Sequence, residues 1–375
     1  MSAFSSTPLL PTLVESLSEQ GLVQPTEVQS QTLKPLLDGR CLLGVSETGS
    51  GKTLAYVLPM LHSLKTLELN GSSVSKPRRP RGLILVPGRE LGEQVSRVLK
   101  GLTHRTRLRV RTVLGGSAKK VARRSVAAPF EILVATPGRL TQLLDSGDLS
   151  LKDVRTLVID EADQMVDPGF LPVAQRILKS CPPKVQVVLF SATLPSSLDG
   201  VISSLFPSAP VRVRTHGSTR LVATLKTINR NVVGGDRKSA LLQVLSEGAS
   251  SAGTMVFVNT RAQLDRVSGW LSNAGLAHSS YRGQMERQER RISLAKFRSG
   301  EVDVLITTDL GGRGLDIERV ERVVNVHLPK DLDNYLHRVG RTARAGRAGV
   351  VVNLVTQRDH LLLTKVRRRE ERARR

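Results

Sequence analysis

The sequence predicts an α/β protein made of two doubly wound units in tandem, each a mostly parallel sheet with helices on both faces. Three observations lead there. Runs rich in Val, Ile and Leu recur with helical stretches between them, the pattern of parallel strands joined by crossover helices. Most of these runs are nearly continuous rather than alternating, as expected where both faces of a sheet are covered. The length, 375 residues, also suits two domains better than one.

Taken in order, strands are expected at Arg81–Pro87, Glu131–Thr136, Val154–Asp160 and Val185–Ser191, preceded by an apolar run at Cys41–Val45. A second series follows at Thr254–Asn259, Val302–Thr308, Val320–Val326 and Gly349–Val355. Between the two series, Val213–Asp236 mixes His216, Gly217, Ser218, Gly234 and Gly235 with basic residues and shows weak periodicity, which reads as a join. The expected organisation is a first domain over 1–212, a linker over 213–236, a second domain over 237–360 and a basic tail over 361–375. Lys76–Arg81 is Pro-rich and basic and reads as a surface loop. Lys365–Arg375 is charge-dense: it could extend a final helix or fray, and it reads as a solvated tail rather than a defined binding element.

Lys and Arg number 56 against 33 Asp and Glu, a formal net charge of +23. Such a field attracts polyanions, either nucleic acid or an anionic membrane surface, with simple solubility as the bland alternative. Aromatic residues make up only 3%. Base stacking is therefore a poor main grip, and phosphate contacts with a steep salt dependence are expected instead. No apolar run approaches the roughly 20 residues that span a bilayer. Met1–Thr12 carries no Lys or Arg and reads as neither a secretory signal nor a transit peptide. Cys41 and Cys181 are the only cysteines, too few for a disulfide framework, so a reducing compartment is expected, the cytoplasm or an organelle.

Two elements carry chemistry. Ser46-Glu47-Thr48-Gly49-Ser50-Gly51-Lys52-Thr53 follows the first apolar run and precedes a helical pattern, the strand–loop–helix setting of a phosphate-binding loop. Gly49 and Gly51 let the backbone curl so that N–H groups face an anion, and the helix N-terminus adds its positive end. Lys52 would neutralise phosphate oxygens and the Thr53 hydroxyl would bind Mg²⁺. Ser46 stands where the strict pattern has its first glycine. The second element, Asp160-Glu161, puts two carboxylates at the C-terminal end of a buried strand, the edge at which open α/β sheets bind ligands. Asp160 would hold Mg²⁺ and Glu161 would orient or deprotonate an attacking water.

Asp160-Glu161-Ala162-Asp163 also spells the signature of the DEAD-box helicases, and the resemblance runs in order from Phe4 to about Val355. It implies two tandem RecA-like domains. Gly21–Gln29 resembles the adenine-reading Q motif, with Phe4, Thr26 and Gln29 as its nucleotide contacts and Leu22 at a position often aromatic. Pro87–Leu91 is similar to the PTREL motif, with Gly88 for Thr. Arg89, Gly116, Thr136, Gly138 and Arg139 would face RNA. Ser191-Ala192-Thr193 matches the motif that couples the ATP site to RNA, together with Asp163.

In the second half, Val256–Arg261 resembles motif IV, giving Thr260 and Arg261 as RNA contacts, joined by Gly283 and Thr307. Arg282 and Arg287 replace a common His and Gln and add positive charge. Thr307–Asp316 looks like motif V, with Asp316 on the ATP ribose. Tyr335–Arg344 is similar to the arginine-finger motif: Arg341 and Arg344 would stabilise the transferring phosphoryl group, with His337 and Arg338 in an interdomain network. The resemblance implies ATP and Mg²⁺ as cofactors and an ATP-dependent RNA helicase, a monomer that grips RNA mainly by its backbone. Ribonucleoprotein or ribosome-assembly settings are ordinary for the family. A clamp that binds RNA without turnover and a DNA translocase remain the alternative readings.

Overall fold

The computed structural model describes residues 3–46, 49–72, 76–116, 118–165, 171–192, 203–215, 225–247, 253–282, 285–309, 317, 319–343 and 348–374. The chain divides into two compact units, Met1–Ser218 and Thr219–Arg375.

Unit 1 holds strands β1 (Leu42–Val45), β2 (Gly82–Leu85), β3 (Val110–Val113), β4 (Ile132–Ala135), β5 (Thr156–Ile159), β6 (Gln186–Ser191) and β7 (Val211–Arg214). They form one seven-stranded sheet in the order β3-β4-β2-β5-β6-β1-β7, and every pairing is parallel. Its helices are α1 (Pro11–Glu19), α2 (Glu27–Leu37), α3 (Lys52–Leu69), α4 (Arg89–Thr106), α5 (Lys119–Val126), α6 (Pro137–Asp145), α7 (Ala162–Met165) and α8 (Leu171–Lys179). The two-residue period of a strand sends neighbours to opposite faces. Ile84, Val188 and Phe190 therefore pack with Leu58 and Val95 on one side. Leu83, Leu85, Val187 and Leu189 pack with Leu140 and Ile177 on the other. Each such buried side chain contributes about 1.5–3 kcal/mol relative to exposure, which is why these runs carry no polar alternation.

Unit 2 holds β8 (Leu225–Asn231), β9 (Gly253–Val258), β10 (His278–Tyr281), β11 (Val304–Thr308), β12 (Val320–Asn325) and β13 (Gly349–Val355). The order is β10-β11-β9-β12-β13-β8, again parallel throughout. The helices are α9 (Arg237–Ser246), α10 (Arg261–Asn273), α11 (Arg287–Ser299), α12 (Leu332–Val339) and α13 (His360–Arg374). Met255 and Phe257 face one core, Val256 and Val258 the other.

Two expectations are corrected here. The described residues of the stretch expected as a linker, 213–236, include strand: Val213 and Arg214 finish β7 and Leu225–Asn231 form β8, each an edge strand, while the division between the units, after Ser218, falls within the stretch. The expected basic tail, 361–375, is mostly helix α13, whose Leu362, Leu363 and Val366 are buried in the core of unit 2. An apolar triplet at helical spacing outweighs the charge around it. Among the described residues no helix is long and apolar enough to cross a membrane.

Candidate nucleotide and RNA site

The phosphate-binding loop begins where β1 ends. The Ser46 N–H donates to the Ser191 carbonyl at 3.0 Å, which fixes the start of the loop against β6. Gly49 has φ 87° and Gly51 φ 94°, a region that L residues other than glycine enter at a cost. A Cβ on Gly51 would stand 2.5 Å from Gln29 Nε2, so any other residue there would also displace the Gln29 amide. Ser46 uses its hydroxyl, which donates to Ser50 Oγ at 2.6 Å and accepts from Thr215 Oγ1 at 3.0 Å. That tie is what the serine supplies in place of the usual glycine.

Lys52 opens α3, is 7% exposed and donates from Nζ to the Ser46 carbonyl at 2.8 Å. The ammonium thus sits across the mouth of its own loop, beside the N-terminal N–H groups of an 18-residue helix. This arrangement favours an anion.

Gln29 lies just behind. Its Oε1 accepts from the Thr26 N–H at 2.8 Å, and its Nε2 donates to the Gly51 carbonyl at 3.0 Å. The side chain is 4% exposed. One amide N–H and one lone pair remain for a base, and the amide ties the Q-motif segment directly to the phosphate loop. Phe4 is buried, and its N–H donates to the Val23 carbonyl at 3.0 Å.

Asp160 follows the last residue of β5 and is 2% exposed. Its Oδ1 accepts from the Glu161 N–H at 2.9 Å and its Oδ2 from the Tyr56 hydroxyl at 2.8 Å. Burial pushes its pKa up to about 6 against the opposing pull of Lys52, with Glu161 adding to the rise. Tyr56 itself is driven well above its ordinary value by burial and by that carboxylate. Glu161 is buried and has φ 50°, a left-handed backbone that stores strain at a functional position. Asp163 turns the other way: its N–H donates to Ser191 Oγ and its Oδ2 accepts from the Ala192 N–H, both at 3.2 Å. The expected coupling pair is therefore in contact inside unit 1.

The turns after β2, β3 and β4 form a second cluster on the same sheet edge. Arg89 donates to the Gly115 carbonyl at 3.0 Å and to Glu93 at 2.8 Å. The Gly115 N–H donates to Thr136 Oγ1 at 3.0 Å. Gly116 has φ 78°, and a Cβ built on Gly138 meets nothing within 4 Å. Arg139, in the first turn of α6, donates to Gln142 at 2.7 Å. Small residues with open space in front of them admit a backbone phosphate.

In unit 2, Thr260 caps α10. Arg261 lies 3.8 Å from Asp265, which also receives Arg282 at 2.7 Å. Thr307 is buried, and its hydroxyl donates to the Thr308 carbonyl at 3.1 Å. Arg338 is 1% exposed, and its five N–H groups have partners in unit 2. They go to both Asp309 oxygens, Asn325, the His327 carbonyl and Asn259, at 2.5–3.2 Å. It acts on its surroundings through those partners. Arg341 is buried and donates from Nε to the His337 carbonyl at 3.1 Å. Glu47, Thr48, Thr193, Gly283, Asp316 and Arg344 lie outside the described residues.

The sequence reading does not single out Tyr56, nor the buried amide chain behind Arg338. Asn325 donates to Asn353 and Asn353 to Asn229, each at 2.8 Å, across β12, β13 and β8. A signal existed: Asn353 sits within the Val-rich β13 and Asn325 ends β12, and an Asn has no place in an apolar core unless it is partnered.

Known proteins share this sequence pattern and fold. The chain matches the DEAD/DEAH box helicase family model over residues 26–201 and the helicase conserved C-terminal domain over 236–346. It is 37% identical to the ATP-dependent RNA helicase SrmB of Escherichia coli (strain K12), over 98% of this chain and 82% of that one. It is 36% identical to the DEAD-box ATP-dependent RNA helicase 39 of Arabidopsis thaliana, over 94% of this chain and 58% of that longer one. Among solved structures, S. cerevisiae Dbp5 bound to RNA and ADP BeF3 is similar with a TM-score of 0.87 and 26% identity, covering 99% of this chain and 94% of that one. Its two parallel-sheet units are RecA-like, and the chain belongs to the DEAD-box family of helicases.

Proposed function

We propose that this protein is an ATP-dependent RNA helicase, which couples hydrolysis of ATP to local unwinding of RNA or remodelling of its protein complexes. The observation that carries the reading is the edge of unit 1. There Lys52, Asp160 and Glu161 meet around one loop, and the Asp163–Ser191 contact leads away from them.

The chemistry follows from that edge. Loop N–H groups and Lys52 hold the triphosphate, and Gln29 and Phe4 hold the adenine side. Thr53 and Asp160 fit Mg²⁺: each Asp160 oxygen keeps a lone pair beyond its single donor, and Mg²⁺ takes one or two carboxylates and fills its shell with water and phosphate. When bound, the ion would supply charge neutralisation at the β- and γ-phosphates. Glu161 orients the attacking water and accepts its proton, while Arg341 and Arg344 counter the charge on the transferring phosphoryl group. Movement of Asp163 passes to Ser191 and Ala192 through the two hydrogen bonds that join them. RNA backbone contacts fall to the turns bearing Arg89, Gly116, Thr136, Gly138 and Arg139, and to Thr260, Arg261 and Thr307. Ribonucleoprotein and ribosome-assembly particles are the settings proposed for the activity.

The test is hydrolysis with and without RNA, beside DNA of matched sequence, in the native protein and Glu161→Gln. RNA raises the native rate, DNA does not, and Glu161→Gln loses about 100-fold in kcat while still binding ATP. Equal stimulation by DNA, or normal turnover by the variant, would overturn the reading.

A further inference from the structure

In an all-parallel sheet the strand starts gather on the rim opposite the nucleotide. In unit 1 that rim is basic. Arg155 directly precedes β5, Lys184 and Arg40 stand two residues before β6 and β1, Lys152 lies in the connection into β5, and Lys76 and Arg78 in the connection into β2. The starts are stitched side by side: the Arg81 N–H donates to the Glu131 carbonyl at 2.9 Å, Arg155 to Arg81 at 2.7 Å and Gln186 to Arg155 at 2.9 Å. Strands β1, β6, β5 and β2 are consecutive neighbours, so at about 4.8 Å per strand the row covers about 14 Å.

All six side chains are exposed. The carboxylates in the same connections are already matched: Asp38 with Lys34, Glu131 with Arg109, Asp148 with Arg123 and Asp153 with Arg79, each within 3.0 Å. None of the six cations makes a side-chain hydrogen bond or ion pair among the described residues. Arg78 joins the Ser146 hydroxyl and Arg123 in holding the Asp148 carboxyl below its ordinary pKa, and the other five cations are surplus positive charge. Cations often collect at helix C-termini, beside the negative pole of the dipole, but none of these six lies in the last turn of a helix.

We propose that this rim is a second RNA-backbone surface, separate from the turns that face RNA on the opposite rim. It would take the phosphates of RNA lying beyond the segment held at those turns. The inference rests on the helicase reading, which keeps a long RNA at high local concentration next to the protein. The chemistry suits a backbone: among the described residues no aromatic side chain is exposed there, so neither a stacking platform nor the aromatic anchor of a protein interface is available.

The test uses the full chain and the triple variant Arg40→Gln, Arg155→Gln, Lys184→Gln, with RNAs of about 10 and about 50 nucleotides. Three lost phosphate contacts are expected to lower affinity for the longer RNA about tenfold at moderate salt and to reduce the slope of log K against log salt by about 2. ATPase stimulation by the shorter RNA, and its affinity, should stay within about twofold of native. Unchanged binding of the long RNA overturns the proposal, as does an equal loss for both lengths, or a loss confined to anionic vesicles or an acidic protein. Failure of the short RNA to stimulate the native protein would instead count against the helicase reading itself. Thermal melting checks the fold, and Lys76→Gln with Lys152→Gln repeats the measurement should the triple variant melt early.

Discussion

Tyr56 holds one oxygen of the carboxylate on which nucleotide chemistry depends, from a position on α3 one turn beyond Thr53. Its ring is fully buried against Phe190, with centroids 5.7 Å apart, so the hydroxyl can be removed without leaving a large void. Tyr56→Phe is expected to raise the Mg²⁺ concentration for half-maximal activity about tenfold, since groups that orient a metal ligand weigh that heavily. KM for ATP at saturating Mg²⁺ should change less than about twofold. Titrating a fluorescent ADP against Mg²⁺ gives a readout independent of turnover, and an unaltered Mg²⁺ requirement would reduce the tyrosine to a packing role. Nothing in the motif spacing announces this contact. It joins residues 104 positions apart, and a tyrosine among apolar neighbours in a helix looks like ordinary core.

Elements differ in how plainly the sequence displays them, and their place in the sheet explains the difference. The eight strands expected from apolar runs, together with β1, were legible to within one or two residues at most ends. The four that escaped, β3, β7, β8 and β10, are the two edge strands of each sheet. An edge strand has one hydrogen-bonded neighbour and less burial, so it tolerates alternation such as Val-Arg-Val-Arg or a polar run such as His-Ser-Ser-Tyr. The strand found within the expected linker is the same effect, because β7 ends and β8 lies inside it.

At the end of an interior strand, β12, His327 shows what burial does to a titrating group. Its Nδ1 is buried with no hydrogen-bond partner, and burial, with Arg237 and Arg338 nearby, lowers its pKa from 6.5 to about 4 although Asp359 pulls the other way. On acidification the unfolded chain takes up this proton first. The stability it contributes is complete above about pH 6.5 and is lost as pH falls toward 4, about 2 kcal/mol after allowance for partial exposure. Replacing His327 by Gln should flatten unfolding free energy against pH over that window. A variant profile as steep as native would exclude the histidine as the cause.

At the scale of the molecule, each unit has two apolar cores of its own, one on either face of its sheet. Produced separately, 1–218 and 219–375 are each expected to melt cooperatively. The first should bind ATP, and RNA-stimulated hydrolysis should need the intact chain. Hydrolysis of native rate by 1–218 alone would contradict the assignment of Arg341 and Arg344 to the reaction. The fold class and the nucleotide loop were legible from sequence because both depend on local patterns. The Arg338 hub was not legible because its four partner residues come from three separate stretches of chain, and only folding assembles them.

The one-way direction of the strands has a practical meaning. In unit 1 the segments that pass from strand to helix carry the catalytic loops, and those that pass from helix to strand carry none of them. The latter half of the connections in unit 1 is thus insulated from turnover. It can be recharged, lengthened or fused to another module, and the enzyme redirected to a new cargo, with its engine left as it was.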